Sequence, residues 1–157
     1  MGTMANNYVL IADPDLVAAQ VYLAGVREVG LATAVVRDGA QARSTMSFRG
    51  SPALLICELA LPNVDAFELI EGLRRTVPES MTPVIVVSAH RAMRDLAAEQ
   101  RQRLGISAIM ARAATDESVR RVIRRLLGVP EEPPTRAAHG LAAFPIRALA
   151  RLRAPRF

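Results

Sequence analysis

The sequence predicts an α/β domain, a doubly wound parallel sheet with helices on both faces. Short apolar runs, each closing on one polar residue, recur at Tyr8–Asp13, Leu54–Glu58 and Val84–Ser88. They are too short for helices and do not alternate with polar residues, which is the pattern of strands buried on both faces. Segments with helical spacing separate them, and strands alternating with helices imply parallel pairing through right-handed crossovers. At 157 residues the chain suits one domain with a short appendage, and 51% hydrophobic residues suffice for a full core.

The elements follow in order. Tyr8-Val9-Leu10-Ile11-Ala12-Asp13 is the first strand. Pro14 suits a first helical turn, with Asp13 as the expected cap and Asp15 favoured by the helix dipole. That helix is expected to run to about Val29, with Gly30 closing it in a left-handed conformation. Thr33–Arg37 is the second strand, and Asp38 caps a weaker helix from Gly39 to Phe48. The central strand ends at Glu58, and Pro62 prevents its ladder from continuing. A turn at Asn63 leads to a helix over about 65–76, with Phe67, Leu69, Ile70 and Leu73 as its buried side. Val84–Ser88 is the fourth strand, 91–104 a polar helix ended by Gly105, and Ser107–Arg112 the fifth strand. The last helix is the clearest. Thr115 caps it, Asp116 and Glu117 fill its first turn, and Val119, Val122, Ile123, Leu126 and Leu127 form one apolar stripe before Gly128 and Pro130.

These elements divide the chain into a tail at 1–7, a domain at 8–128 and a Pro/Arg-rich tail at 129–157 that is expected to be disordered. An alternative is that the tail orders against an acidic surface, a nucleic acid or a membrane. All 20 basic residues are Arg, and the net charge of +5 is weighted toward the tail, which argues against a nucleic-acid-binding body. The single Cys57 permits no internal disulfide, and alternation turns it away from Glu58 into the core. No apolar run is long enough to span a membrane and the first residues do not read as a signal peptide, so a cytoplasmic location is expected. No Gly-rich phosphate loop, Cys/His metal spacing or nucleophile elbow is present, and the chain is not expected to be an enzyme. His90 follows the fourth strand in a loop, and His139 lies in the tail.

Three strand ends carry the chemistry: Asp13, Glu58 and Ser88, with Arg112 ending the fifth strand. This set, together with Leu-Ile-Cys-Glu-Leu-Ala-Leu-Pro-Asn-Val-Asp-Ala-Phe-Glu-Leu around Glu58, resembles the receiver domain of two-component response regulators. The resemblance covers residues 8–127 and includes Ser88-Ala89 and Gly105 through Arg112. It implies a flavodoxin-like (CheY-like) sheet of strand order 2-1-3-4-5. It further implies an acidic pair after the first strand, a phosphoacceptor Asp after the third, Ser or Thr after the fourth and Lys-Pro after the fifth. Asp13 and Ser88 match that pattern. Glu58 stands at the phosphoacceptor position, Pro14 at the second acid, Arg112 and Ala113 at the Lys-Pro, and Ile109 at the switch aromatic. Asp15 is the nearest replacement for the missing acid, although a helical position directs its side chain elsewhere.

These departures bear on phosphoryl transfer, which is almost entirely positioning and charge neutralisation. Glutamate carries its oxygens one methylene farther out, roughly 1.5 Å by the length of a C–C bond, and a displacement of that order can cost about 10²-fold. Loss of an acid at Pro14 weakens any Mg²⁺ site, for which Asp13 and Glu58 would be the ligands. Arg112 can grip Glu58 with a two-pronged geometry that Lys lacks. Glu58 therefore has four readings. It imitates an acylphosphate by reaching Ser88 and Arg112, is locked to Arg112 alone, is a solvated strand-end acid, or is a working phosphoacceptor.

The function expected is a stand-alone, receiver-like signalling protein of a bacterial two-component system or phosphorelay, a pseudo-receiver that acts by protein–protein contact without a required cofactor. Its partner would be a histidine kinase or a downstream regulator. The face of the fourth helix, fifth strand and fifth helix carries Arg91, Arg94, Arg101, Arg103, Arg120 and Arg124, which predicts an acidic partner or a homodimer there. A phosphorylatable single-domain regulator is the alternative.

Overall fold

In the computed structural model, residues 7–112 and 114–130 are described. Residues 1–6 of the expected N-terminal tail and nearly all of 129–157, with His139, lie outside them. The described chain alternates strand and helix throughout: β1 (Tyr8–Ala12), α1 (Leu16–Arg27), β2 (Ala32–Val36), α2 (Gly39–Arg49), β3 (Leu54–Glu58), α3 (Ala66–Arg74), β4 (Val84–Ser88), α4 (Arg91–Leu104), β5 (Ala108–Ala111) and α5 (Asp116–Leu126). All pairings are parallel and the strand order is β2-β1-β3-β4-β5, as expected.

Strand alternation divides the core into two layers. Leu10, Ala12, Leu55, Cys57, Val84 and Val86 face α2, α3 and α4, where Ala42, Leu69, Ile70 and Ala97 meet them. Val9, Ile11, Leu54, Ile56, Ile85 and Val87 face α1 and α5, against Ala19, Tyr22, Val26, Val119 and Ile123. Each fully buried aliphatic side chain contributes about 1.5–3 kcal/mol by leaving water, and β1, β3 and β4 are buried along their whole length. Cys57 sits in the first layer, on the opposite side from Ile56, as alternation requires.

Two helix starts differ from the sequence expectation. Asp13 does not cap α1. Asp15 does, with extended backbone and Oδ1 accepting from the Val17 and Ala18 amides at 2.9 and 3.3 Å. The helix α3 begins at Ala66, with Asp65 as its cap; Ala66 is buried on its inner side, and Phe67 packs only partly buried against the same layer.

The loop after β3 is held tightly. Asn63 takes a φ of 67°, a left-handed conformation that asparagine tolerates. Val64 then donates to the Pro62 carbonyl at 2.8 Å, and Gly39, opening α2, donates to the same oxygen at 3.1 Å. A Cβ on Gly39 would lie 2.0 Å from the Val64 oxygen, so only glycine allows this approach. The backbone just beyond Glu58 is thereby pinned to the start of α2.

Candidate functional site

Parallel register brings the strand-end residues together. Ala12 pairs with Cys57, so the next residues, Asp13 and Glu58, sit side by side at the C-terminal edge. Val87 pairs with Met110 and Ser88 with Ala111, and Arg112 follows one step later. The Asp13 amide extends the ladder by donating to Val36 O at 3.0 Å, and the Arg112 amide donates to Ser88 O at 3.2 Å. Ligands bind at this edge in open α/β sheets.

The guanidinium of Arg112 occupies the centre. Its Nη1 donates to Glu58 Oε2 at 2.5 Å, and its Nη2 to Asp13 Oδ1 at 3.0 Å. The same Nη2 lies 3.3 Å from Asp15 Oδ2. Asp13 and Glu58 are almost fully buried, at 1% and 4% side-chain exposure, whereas Arg112 keeps 25%. The fork is the geometry that guanidinium offers and ammonium does not. The remaining oxygens differ. Glu58 Oε1 accepts from the Ala60 amide at 3.2 Å, while Asp13 Oδ1 also accepts from the Asp15 amide at 2.8 Å. Asp13 Oδ2 is buried with no hydrogen-bond partner.

The electrostatics follow from this packing. Burial alone would lower the pKa of Arg112, but the charges of Asp13 and Glu58 outweigh it and raise it above the usual value. Asp15 is held below the usual carboxylate range, first by the Ala18 and Val17 amides and further by Arg112. Tyr22, on α1, is pushed up to about 12 by burial, to which the charge of Asp13 adds.

Asp15 departs from the expectation that helix geometry would turn it away. As the cap of α1 its backbone is extended, and Oδ2 reaches the guanidinium while Oδ1 caps the helix. Ser88 is not joined to Glu58. Its position shares the parity of Val84 and Val86, on the opposite face from Val87, and its Oγ accepts from the His90 amide at 3.1 Å. Ile109 shares that opposite face and packs, partly buried, against the same core layer as Met93 of α4.

Arg94, one of the arginines of the α4–β5–α5 face, folds back to donate to Ser88 O at 2.8 Å. With Ala89, Ala111 and Arg112 it lines an open hollow of about 530 Å³ beside the site. The other arginines of that face also turn toward their own chain. Arg101 donates to Ile106 O and Ser107 O, Arg103 meets Glu71 of α3, and Arg120 meets Glu28 near α1 at 2.8 Å. Arg124 donates to Pro130 O, and Arg91 lies 3.8 Å from Asp95. Each of these guanidiniums thus has a carbonyl or carboxylate of its own chain within reach, while Arg91, Arg103 and Arg120 keep much of their side chains exposed.

Residues 9–127 match the family model of the response regulator receiver domain. The chain belongs to this family. As a receiver domain it is similar to "Regulator of RpoS" of Escherichia coli K12, at 26% identity over 113 residues, 72% of this chain and 32% of that protein. The matched part thus spans about a third of that relative. Among solved structures, the signal receiver domain of a signal transduction histidine kinase from Syntrophus aciditrophicus is 24% identical. It has a TM-score of 0.64, with 84% of this chain and 98% of that chain covered. Chemotaxis response regulator CheY4 of Vibrio cholerae is 15% identical at a TM-score of 0.64, covering 76% and 97% respectively. At these identities the likeness to solved structures is one of fold.

Receiver chemistry implies a divalent ion, so the site can be tested for one. Mg²⁺ needs near-octahedral oxygens at about 2.0–2.1 Å. One oxygen of each converging carboxylate, Asp13 Oδ1, Asp15 Oδ2 and Glu58 Oε2, lies within 3.3 Å of the Arg112 guanidinium. Pro14 contributes no side-chain ligand where the family pattern has its second acid. This arrangement does not fit the ion. Among the described residues, no helix is long and apolar enough to cross a membrane.

Proposed function

We propose that this receiver domain signals by protein–protein contact and does not accept a phosphoryl group at Glu58. The observation that carries the proposal is the fork of Arg112 across Asp13 and Glu58. Phosphoryl transfer to a carboxylate needs a free oxygen in line with the donor and a cation to hold the developing charge. Both Glu58 oxygens already have donors, one from Arg112 and one from Ala60. The side chain also carries the extra methylene that displaces a nucleophile from its expected position.

The domain is then a pseudo-receiver, not an enzyme, and it needs no cofactor to hold its form. Its partner is a histidine kinase or a downstream regulator of a two-component system. The surface of α4, β5 and α5 is the contact face this reading favours, because Arg112 follows β5 directly and Arg94 ties α4 to the end of β4. Leu96 on α4 is 41% exposed and offers an apolar anchor among the polar groups.

Intact-mass measurement after incubation with acetyl phosphate and Mg²⁺ tests the proposal. The mass should not change. A gain of one phosphoryl group that disappears in Glu58→Gln would overturn it.

A further inference from the structure

We propose that the Arg112 guanidinium is the resident cation of this site and keeps divalent ions out of it. The inference builds on the non-phosphorylated reading above, but it concerns the metal niche and can fail separately. Three carboxylates, Asp13, Asp15 and Glu58, converge on one guanidinium, within 3.3 Å of its two terminal nitrogens. Hard divalent ions favour such an all-oxygen niche. Here one oxygen of each carboxylate is already engaged by a cation that belongs to the chain.

The charge count leaves the guanidinium as the barrier, since the acids themselves would attract a metal. One guanidinium against three carboxylates leaves two negative charges uncompensated, and Asp13 Oδ2 is buried without a donor. The niche therefore favours cations over anions, and only the occupant excludes a metal. A tethered guanidinium also has an entropic advantage over a free ion, because its attachment to β5 holds it at high local concentration. Two consequences follow. Removing the charge at position 112 should expose a carboxylate niche that takes a divalent ion. Shortening the acid alone, by Glu58→Asp, should not, because Arg112 still bridges to Asp13 and Asp15.

The test is titration of the full chain with Mn²⁺, read by electron paramagnetic resonance of the free ion, with Mg²⁺ competition. Wild-type protein should show no saturable site at Asp13. Arg112→Gln and Arg112→Ala should bind at least about tenfold more tightly, which is about 1.4 kcal/mol, and adding Asp13→Asn should abolish the gain. Mg²⁺ should raise the Tm of the Arg112 variants and leave that of the wild type unchanged. Saturable Mn²⁺ binding by the wild type that Asp13→Asn removes would overturn the inference whether or not the variants fold. So would folded Arg112 variants with no gain. A wild type that binds Mn²⁺ but takes no phosphoryl group from acetyl phosphate would sink this inference and leave the proposed function standing.

Discussion

Arg112 and Arg74 are the same side chain in two settings at opposite ends of one sheet. At the C-terminal edge Arg112 faces carboxylates, two of them buried. At the N-terminal edge Arg74, ending α3, donates to the carbonyls of Leu104, Gly105 and Val77, at 2.9, 2.8 and 3.3 Å. Burial lowers the pKa of both. For Arg74 the lowering persists, offset only in part by Glu79, whereas for Arg112 the charges of Asp13 and Glu58 reverse it. Arg74 closes loops with dipoles, and Arg112 closes a site with charge. A carbonyl that loses its donor can turn to water, but a buried carboxylate that loses its cation must take another cation or a proton.

Truncation should separate the two. Arg112→Ala should destabilise the fold by about 3 kcal/mol at neutral pH, because two nearly buried carboxylates lose their counter-charge. Urea unfolding would measure it, and a loss under 1 kcal/mol would place these acids in far better contact with solvent than their burial indicates. Arg74→Ala should cost less, about 1–2 kcal/mol, since the freed groups are neutral carbonyls that lose a donor and no counter-charge. An equal or larger loss than for Arg112 would reverse the comparison.

A third effect, a pH dependence, lies outside the neutral range and vanishes at pH 7. The Tyr22 pKa is raised from its usual 10.0 to about 12 by burial, with the Asp13 charge adding to it. Above pH 10 the unfolded chain releases this proton while the folded chain keeps it. The contribution of Tyr22 is therefore complete below pH 10 and is lost as pH rises toward about 12. Unfolding midpoints against pH should fall more gently in that window for Tyr22→Phe than for the wild type. A Tyr22 phenol that titrates near its usual value in difference absorbance would break the link between the α1 layer and the acid cluster.

The fold was legible because its signals are local. Leu54–Cys57 and Val84–Val87 are apolar without alternation, as strands covered on both faces must be, and the stripe through Val119 and Ile123 has the helical period. The positions of Asp13 and Glu58 were legible too, because a strand end is also a sheet edge. Three features were not. Asp15 joined the site because its backbone leaves the helix at the cap, a matter of φ and ψ that composition does not reveal. The Gly39–Pro62 clamp joins residues 23 positions apart, and Asp38-Gly39 reads in sequence as an ordinary helix start. The partners of the outer arginines were hidden as well: Arg94, Arg103 and Arg120 reach residues of other elements, and Arg101 reaches the loop after its own helix.

The sequence by itself determined which residues arrive at the edge: a strand of five buried residues ends on Glu58 whatever its neighbours do. It also determined that this acid is too long by a methylene and that the cation is a guanidinium. Only the tertiary structure decided who meets whom. Register set Asp13 beside Glu58, strand parity sent Ser88 to the other layer, and the chain after β5 brought Arg112 back across both acids. Pairings between distant residues depend on the offset between strands. That offset is fixed when the two faces bury their apolar sets together, and no single segment encodes it.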